Sequence, residues 1–379
     1  MNRQFAVGHV VRRYLQRTET FIQSYLTHAQ QHLPHVLTDI LFSDFARDTP
    51  CVYLIAHDQI NQMRLQDRHF FLSQMDYPTC YAKTVGERQM RVLHAHFGLM
   101  GYRTLALKHK TQLPLVVSFY GIDASHMLRE TRWQRAFQQL FDNVDRVTAL
   151  GSDMANRLCD AGCDPEKIRI LHLGVDLKTI PFHQRKYPLD GVPIVLLYCG
   201  RLVEKKGVLD ALQAFARVAK AWPSLVFRIV GDGPLRLQLC RAVRQLGVGH
   251  RVELCGALSH KQVLQEMANA HVFILPSKTA QNGDMEGTPT VLLEAQASGL
   301  PVLSTHHADI PELVQEGQSG FLVNEGDVTA LSERLGGVLE NPHLWNDLGK
   351  AGRAHVQAHY NIRREVKKLE WLYHGLISS

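Results

Sequence analysis

The sequence predicts an α/β protein of two domains, each a parallel sheet with helices on both faces. Three observations predict it. Short apolar runs alternate with amphipathic stretches, the pattern of strand–helix–strand units. That alternation occurs twice, on either side of a proline-rich stretch. The length, 379 residues, suits two domains at ~150 residues each. With 45% hydrophobic and 21% charged residues, the composition excludes a disordered, collagen-like or coiled-coil chain.

In chain order, Cys51–Ala56 is ambiguous between helix and strand, whereas Val92–His96, Leu115–Phe119 and Arg146–Leu150 read as strands ending in turn residues. A further apolar run starts at Ile168. Residues 180–193 hold three prolines and one glycine without periodicity, so 181–193 reads as a linker between domains at 1–180 and 194–359. In the second domain the strands are Ile194–Cys199, Val226–Val230, Val252–Cys255, Val272–Leu275 and Pro301–Ser304. Helices are expected at Val208–Ala221, Leu235–Leu246, His260–Asn269 and Pro289–Ala297. Residues 360–379 form an amphipathic helix, with Val366, Leu369, Leu372, Tyr373 and Leu376 on one face. Ligands of such sheets sit outside the carboxyl ends of the strands, so the two sheets are expected to face a central cleft.

The net charge is +6, and residues 1–185 carry 22 basic against 17 acidic side chains. The surplus is too thin for nucleic acid, but suits a phosphate-bearing ligand or an anionic membrane surface. Seven cysteines with no C-x-x-C read as reduced, buried thiols of a cytosolic protein. The first residues carry Arg3, Arg12, Arg13 and Arg17 with no apolar core, and no long apolar run follows. Neither a signal peptide nor a membrane span is expected.

The chemistry concentrates in residues 286–301. Thr288 suits an N-cap and Pro289 a first helical position, while Gly299 and Pro301 suit the end. The resulting helix N-terminus, beside Gly287 and Thr290, is an anion site. Glu286 lies before it and Glu294 beyond it. Carboxylates so placed can accept hydrogen bonds from sugar and ribose hydroxyls on either side of a diphosphate. Arg201 and Lys206, in the loop after Gly200, supply two cations for that diphosphate, with Lys205 expected to be solvated. Gly231-Asp232-Gly233 begins like a dinucleotide fingerprint, but Arg236 holds the third glycine position. It instead allows a flat base to approach the backbone.

Gly200–Gly207, Val230–Pro234, Glu286-x7-Glu294 and Pro311–Val323 together resemble the motif set of retaining glycosyltransferases of the GT-B fold, specifically glycosyltransferase family 4 (glycosyl transferases group 1), and within it enzymes of colanic-acid-type surface polysaccharide synthesis. The resemblance implies two Rossmann-like domains, with donor bound mainly by the second and the C-terminal helix crossing back to the first. It implies that Arg201 and Lys206 hold the diphosphate, Glu286 the donor sugar and Glu294 the ribose. The donor is then a UDP- or GDP-linked sugar, and the acceptor a carbohydrate, lipid-linked or small molecule. The enzyme would be cytoplasmic, with peripheral contact to the inner membrane surface, and without nucleic acid.

In the first half, strand alternation puts His94 and His96 on one face. The family pattern favours His96, Phe97 and Gly98 as cleft residues. Tyr120 stands where the family often has histidine, so hydrogen-bond donation is expected there rather than proton transfer near neutral pH; Tyr120, Gly121 and Asp123 are expected on the acceptor side, with Glu19, Thr20, His96, Phe97 and Gly98. Glu19 and Thr20, in Arg17-Thr-Glu-Thr-Phe, replace the family's glycine-rich first loop. The expected reaction is retaining transfer with Glu286, Arg201, Lys206, His96 and Tyr120 as its working residues. No Asp-x-Asp occurs, and neither a metal nor a cofactor is expected. The rival readings are a nucleotide-sugar epimerase or hydrolase, an oxidoreductase, and a non-catalytic binding protein.

Overall fold

The structure, a computed structural model, describes residues 4–14, 20–41, 52–54 and 81–378. The chain divides into one unit of residues 1–173 and 362–379 and another of residues 174–361. The first unit contains β1 (Phe5–Tyr14), α1 (Thr20–Thr27), β2 (His32–Leu41), β3 (Val52–Leu54), α2 (Ala82–Glu87), β4 (Met90–His96), α3 (Gly98–Thr111) and β5 (Leu115–Ser118). It continues through α4 (His126–Arg129), α5 (Thr131–Asn143), β6 (Arg146–Ala149), α6 (Ser152–Asp160) and β7 (Ile168–Ile170). Its seven strands run parallel in the order β3-β2-β1-β4-β5-β6-β7.

The second unit holds β8 (Ile194–Cys199), α7 (Val208–Val218), β9 (Leu225–Val230), α8 (Arg236–Gln245), β10 (Val252–Gly256), α9 (His260–Asn269) and β11 (Val272–Ile274). Then come α10 (Thr290–Ala297), β12 (Val302–Thr305), α11 (Ile310–Leu313), β13 (Gly320–Val323), α12 (Val328–Glu340) and α13 (Trp345–His359). Its six parallel strands follow the order β10-β9-β8-β11-β12-β13. The final helix, α14 (Ile362–Ser378), belongs to the first unit, where Val366, Leu369 and Tyr373 join its core.

Parallel strands covered on both faces read as unbroken apolar runs, which is why Ile194–Cys199 was legible as a strand. The long central strand β1 was not anticipated, because Gly8, His9, Arg12 and Arg13 interrupt its apolar pattern. Gly8 is closely packed there: a Cβ would lie 2.8 Å from Met90 Sδ.

The expected linker is a strap fastened to the second unit. Buried Arg185 donates to the carbonyls of Ala268 and Ala270 (2.8 Å each) and Ser298 (2.7 Å). His183 N–H also binds Ser298 O, at 3.0 Å. Proline-rich composition records the absence of regular structure and says nothing about packing. Cys159, Cys163, Cys199, Cys240 and Cys255 are free thiols, the second and third buried, while Cys51 and Cys80 lie outside the described residues. Among the described residues no helix is long and apolar enough to cross a membrane.

Arg185→Met strands the carbonyls of Ala268, Ala270 and Gly299, which also accepts from Arg185 at 3.3 Å, while Ser298 O keeps the His183 N–H. Buried groups left without partners cost ~1–3 kcal/mol each. Calorimetry should show the transition of the second unit lowered by at least about 3 kcal/mol, with that of the first unchanged.

Candidate functional site

The loops after β8, β9, β11 and β12 gather at the carboxyl end of the second sheet, where an open parallel sheet binds ligands. They are joined backbone to backbone. Gly200 N–H binds Val230 O at 3.0 Å, and Leu202 N–H binds Asp232 O at 2.9 Å. Gly231 has φ +140°, and a Cβ there would sit 1.9 Å from Gly200 O. Gly231 and Gly233 therefore serve first to let two loops touch, whereas their sequence pattern suggests approach to a ligand. Gly207, at φ +64°, lies equally close to Pro276: a Cβ would meet its carbonyl at 1.8 Å. Asp232 is exposed, with Arg236 3.9 Å away.

Lys206 and Glu286 meet inside this frame. Lys206 Nζ lies 2.8 Å from Glu286 Oε1, with Glu286 buried. Against the upward push of burial, Lys206, Lys205 and His307 hold the Glu286 carboxyl below its usual range. It is therefore ionised at neutral pH. Ser277 Oγ adds a hydrogen bond at 3.3 Å. Glu286 N–H donates to Nε2 of buried His307 at 3.0 Å, which puts the ring proton on Nδ1, donated to Glu325 at 2.5 Å. Glu325 also accepts from Thr279 N–H at 2.7 Å.

Lys205 was expected in solvent. It is buried, bound to Asp284 and to Met285 O, at 2.9 Å each. Its partner appears only when the chain brings residue 284 back across the sheet, which no local pattern signals. Arg201, by contrast, is exposed, and its guanidinium forms no hydrogen bond or ion pair among the described residues. The structure therefore pairs one of the two expected cations with Glu286 and leaves the other open.

The helix after Glu286 begins later than expected. Pro289 (ψ 91°) is still extended and stands as the N-cap, and Thr290 is the first helical residue. Thr288 caps nothing; its buried Oγ1 has no hydrogen-bond partner among the described residues. Leu292 N–H turns back to Pro289 O at 2.9 Å, leaving the amides of Thr290 and Val291 without partners among those residues. Gly287 and Pro289 are buried beside them. Glu294, in the second turn, accepts from His260 Nε2 at 3.0 Å.

In the first unit His94 and His96 share a face, as alternation requires, and His9 from β1 joins them. Their ring nitrogens lie within 4.8 Å of one another. Those nitrogens are already used: His94 meets Tyr373 Oη (2.5 Å) and Ser118 Oγ (2.7 Å), and His96 meets Tyr120 Oη (2.6 Å) and His9 Nδ1 (3.1 Å). Only His9 Nε2 lacks a partner among the described residues. Burial lowers all three, His96 to about 3, so the rings are neutral. This is a hydrogen-bond chain ending on Tyr120. Asp123 was expected to face an acceptor. It is buried and accepts from the N–H groups of Gly98 (2.9 Å), Tyr120 and Gly121 (3.0 Å each), tying two strand-end turns together. Gly98 is packed so closely that a Cβ would lie 2.5 Å from Phe119, and Phe97 holds φ +73°. Thr20 opens α1 and is exposed, while Glu19 lies outside the described residues.

Sequence patterns alone do not reveal Ser277, His307, Glu325, His260 and His9. His307 was the most recoverable, lying just past a strand's carboxyl end; Glu325 is too distant in sequence to have been linked to it.

Two family models match the chain, glycosyltransferase family 4 over residues 28–179 and glycosyl transferases group 1 over 179–355. An Escherichia coli K12 protein named as the colanic acid biosynthesis glycosyltransferase WcaL is 34% identical over 73% of this chain and 70% of its own. The chain belongs to glycosyltransferase family 4. The Salmonella typhimurium WcaL is 37% identical over 64% of this family 4 chain, and the match spans 60% of the Salmonella protein's own length. The solved structure of Anabaena Alr3699/HepE, in complex with UDP-glucose, superposes with a TM-score of 0.79 over 98% of this chain and 100% of that one, at 17% identity. The fold is GT-B.

The His260–Glu294 contact raises the imidazole above its ordinary 6.5, chiefly through the hydrogen bond. Its contribution to stability is complete below pH 6.5 and is lost as pH rises through the raised value. The contribution is small, since the His260 side chain is 58% exposed. In an NMR titration, Glu294→Gln should return His260 toward the ordinary value; an unchanged titration would show that the contact does not form in solution.

Proposed function

We propose that this family 4 glycosyltransferase moves a sugar from a nucleoside-diphosphate sugar to an acceptor hydroxyl, with retention of anomeric configuration, in the assembly of a bacterial exopolysaccharide. One observation carries the reading: the buried Lys206–Glu286 pair beside the open amides of α10. A carboxylate kept ionised by an adjacent lysine is a fixed acceptor for sugar hydroxyls, and the lysine and amides suit an anion. Thr288 Oγ1, buried and unpartnered among the described residues, supplies a further polar atom at that place. The name of the WcaL relatives supports an exopolysaccharide, and the donor is a UDP- or GDP-linked sugar.

In this reading Arg201, Lys206 and the amides of Thr290 and Val291 hold the diphosphate, with Gly287 and Pro289 shaping the approach. Glu286 holds the donor sugar, Glu294 the ribose, and Gly200, Gly231, Asp232 and Gly233 border the base. In the first unit His96, Phe97, Gly98, Tyr120, Glu19 and Thr20 are assigned to the acceptor, with His96 orienting the Tyr120 hydroxyl. The bond from the anomeric carbon to the phosphate oxygen breaks, and its electron pair stays on the phosphate. The acceptor oxygen bonds that carbon on the same face, and its proton passes to the departing phosphate. Cations and amides fixed in advance stabilise that charge. No covalent nucleophile, resident metal or cofactor is invoked, and the reaction is placed in the cytoplasm.

Arg201→Ala removes an exposed side chain and should leave the melting temperature unchanged, while transfer falls by about 10²-fold. Glu286→Gln should lose a similar factor. Transfer is followed as nucleoside diphosphate released only when acceptor is present, over a panel of UDP- and GDP-linked sugars. Wild-type rates in both variants would refute the assignment, and release that ignores the acceptor would favour a hydrolase. A chelator should leave the rate unaltered.

A further inference from the structure

Of the histidines whose rings meet in the first unit, His9 has no evident use. It lies on β1, 1% exposed, beside the rings of His32, His94 and His96. Its ring makes a single hydrogen bond among the described residues, between Nδ1 and His96 Nε2 at 3.1 Å. Its Nε2 has no partner among them. A buried polar atom left unmatched is costly, and an aliphatic side chain at this place in β1 would avoid that cost. The imidazole therefore calls for an explanation other than packing, and its one hydrogen bond points along the chain to Tyr120.

His9 and His96 are neutral, so each ring carries one N–H. A chain of neutral rings runs in one direction, and the distances give it. Tyr120 Oη lies 2.6 Å from His96 Nδ1. An N–H donor keeps its acceptor oxygen at about 2.7–3.2 Å, whereas a hydroxyl donor approaches to about 2.5 Å. Tyr120 therefore donates to Nδ1, which leaves the His96 proton on Nε2. His9 Nδ1 accepts that proton's hydrogen bond, and His9 holds its own proton on Nε2. The Tyr120 ring has little freedom, since it packs against Phe21 and Phe97 with ring centres 4.7 and 4.9 Å away. The torsion of its hydroxyl is what the histidines set. His94 stacks on His96 with ring centres 4.4 Å apart, but belongs to a separate chain that closes on Tyr373, Ser118 and Thr148.

We propose that His9 is a positioning residue for sugar transfer: by accepting from His96 Nε2 it fixes the tautomer that draws the Tyr120 proton inward, so that Tyr120 Oη meets the acceptor as a hydrogen-bond acceptor. The inference rests on the transfer reading, in which Tyr120 is assigned to the acceptor. An alcohol that donates to Oη keeps its own lone pairs for the anomeric carbon. This reverses the donating role that the sequence suggests for Tyr120. Without His9, nothing in the chain holds the His96 proton on Nε2, and the phenol presents a proton as readily as a lone pair.

The tautomer is read directly by NMR of the full chain carrying isotopically labelled histidine, from correlations between ring protons and ring nitrogens. The His96 signals are identified by their loss in His96→Gln. In wild type the His96 proton should sit on Nε2, and in His9→Leu it should move to Nδ1. His9→Leu should also lose about tenfold in kcat/KM for the acceptor, the worth of one hydrogen bond. KM for the donor, and the rise in melting temperature caused by UDP or GDP, should not change. His9→Asn, whose amide oxygen takes the place of Nδ1, should restore transfer; His9→Gln, whose amide reaches the place of Nε2, should not. A role in packing alone would instead rank the three variants by melting temperature. A wild-type proton on Nδ1, zinc held by the three rings, or unaltered acceptor kinetics in His9→Leu would overturn the proposal. A wild type that transfers nothing counts against the sugar-transfer reading, and the tautomer is still decided by NMR.

Discussion

The second unit is organised around a buried ion pair. Removing Lys206 and Glu286 from water is costly, and their mutual attraction offsets that cost only if the geometry is fixed and the remaining polar atoms find partners. The structure meets both conditions. Ser277 reaches the carboxylate, and His307 takes the Glu286 N–H while Glu325 takes the other side of the ring. A parallel pair, Lys205–Asp284, clamps the same two loops, and Lys278 N–H closes on Lys205 O at 2.8 Å. Close approach of these loops depends in turn on Gly207 and Gly231, where any side chain would collide with backbone. The ion pair thus sets constraints on residues far from it in sequence.

Its consequence for chemistry is that charge is in place before a ligand arrives. Glu286 cannot readily protonate beside two lysines, so it accepts hydrogen bonds and is ill suited to act as an acid. The His307 tautomer is fixed by what it binds on each side, which commits it to holding the loop. The histidine chain of the first unit behaves alike. Its rings are neutral, and their hydrogen bonds end on the hydroxyl of Tyr120.

Much of the fold could be read from the sequence, because buried parallel strands and amphipathic helices leave strong periodic signals. Ile194–Cys199 and His260–Asn269 match the structure at both ends. The strand β1 escaped because Gly8, His9, Arg12 and Arg13 interrupt the apolar run of Ala6, Val7, Val10 and Val11. Of the candidate site, Lys206 and Glu286 were legible and do meet. Lys205 and Asp123 were misread for one reason: whether a polar side chain faces water or protein depends on what crosses over it from elsewhere; Thr288 was misread because the helix starts two residues after it. Asp123 is claimed by three backbone amides and Lys205 by Asp284, contacts between segments that only folding brings together.

The membership of α14 in the first unit bears on how the chain is made. Its Glu370 holds the start of β2, and its Tyr373 completes the packing around His94. Residues 1–173 leave the ribosome before the second unit, yet the helix that finishes their core follows it. At roughly 5–20 residues per second, the nascent first unit waits some tens of seconds with that face uncovered, while the second unit is synthesised whole. Vectorial synthesis therefore gives the sheet of the first unit the later date of completion, and places on it the greater need for protection during biogenesis.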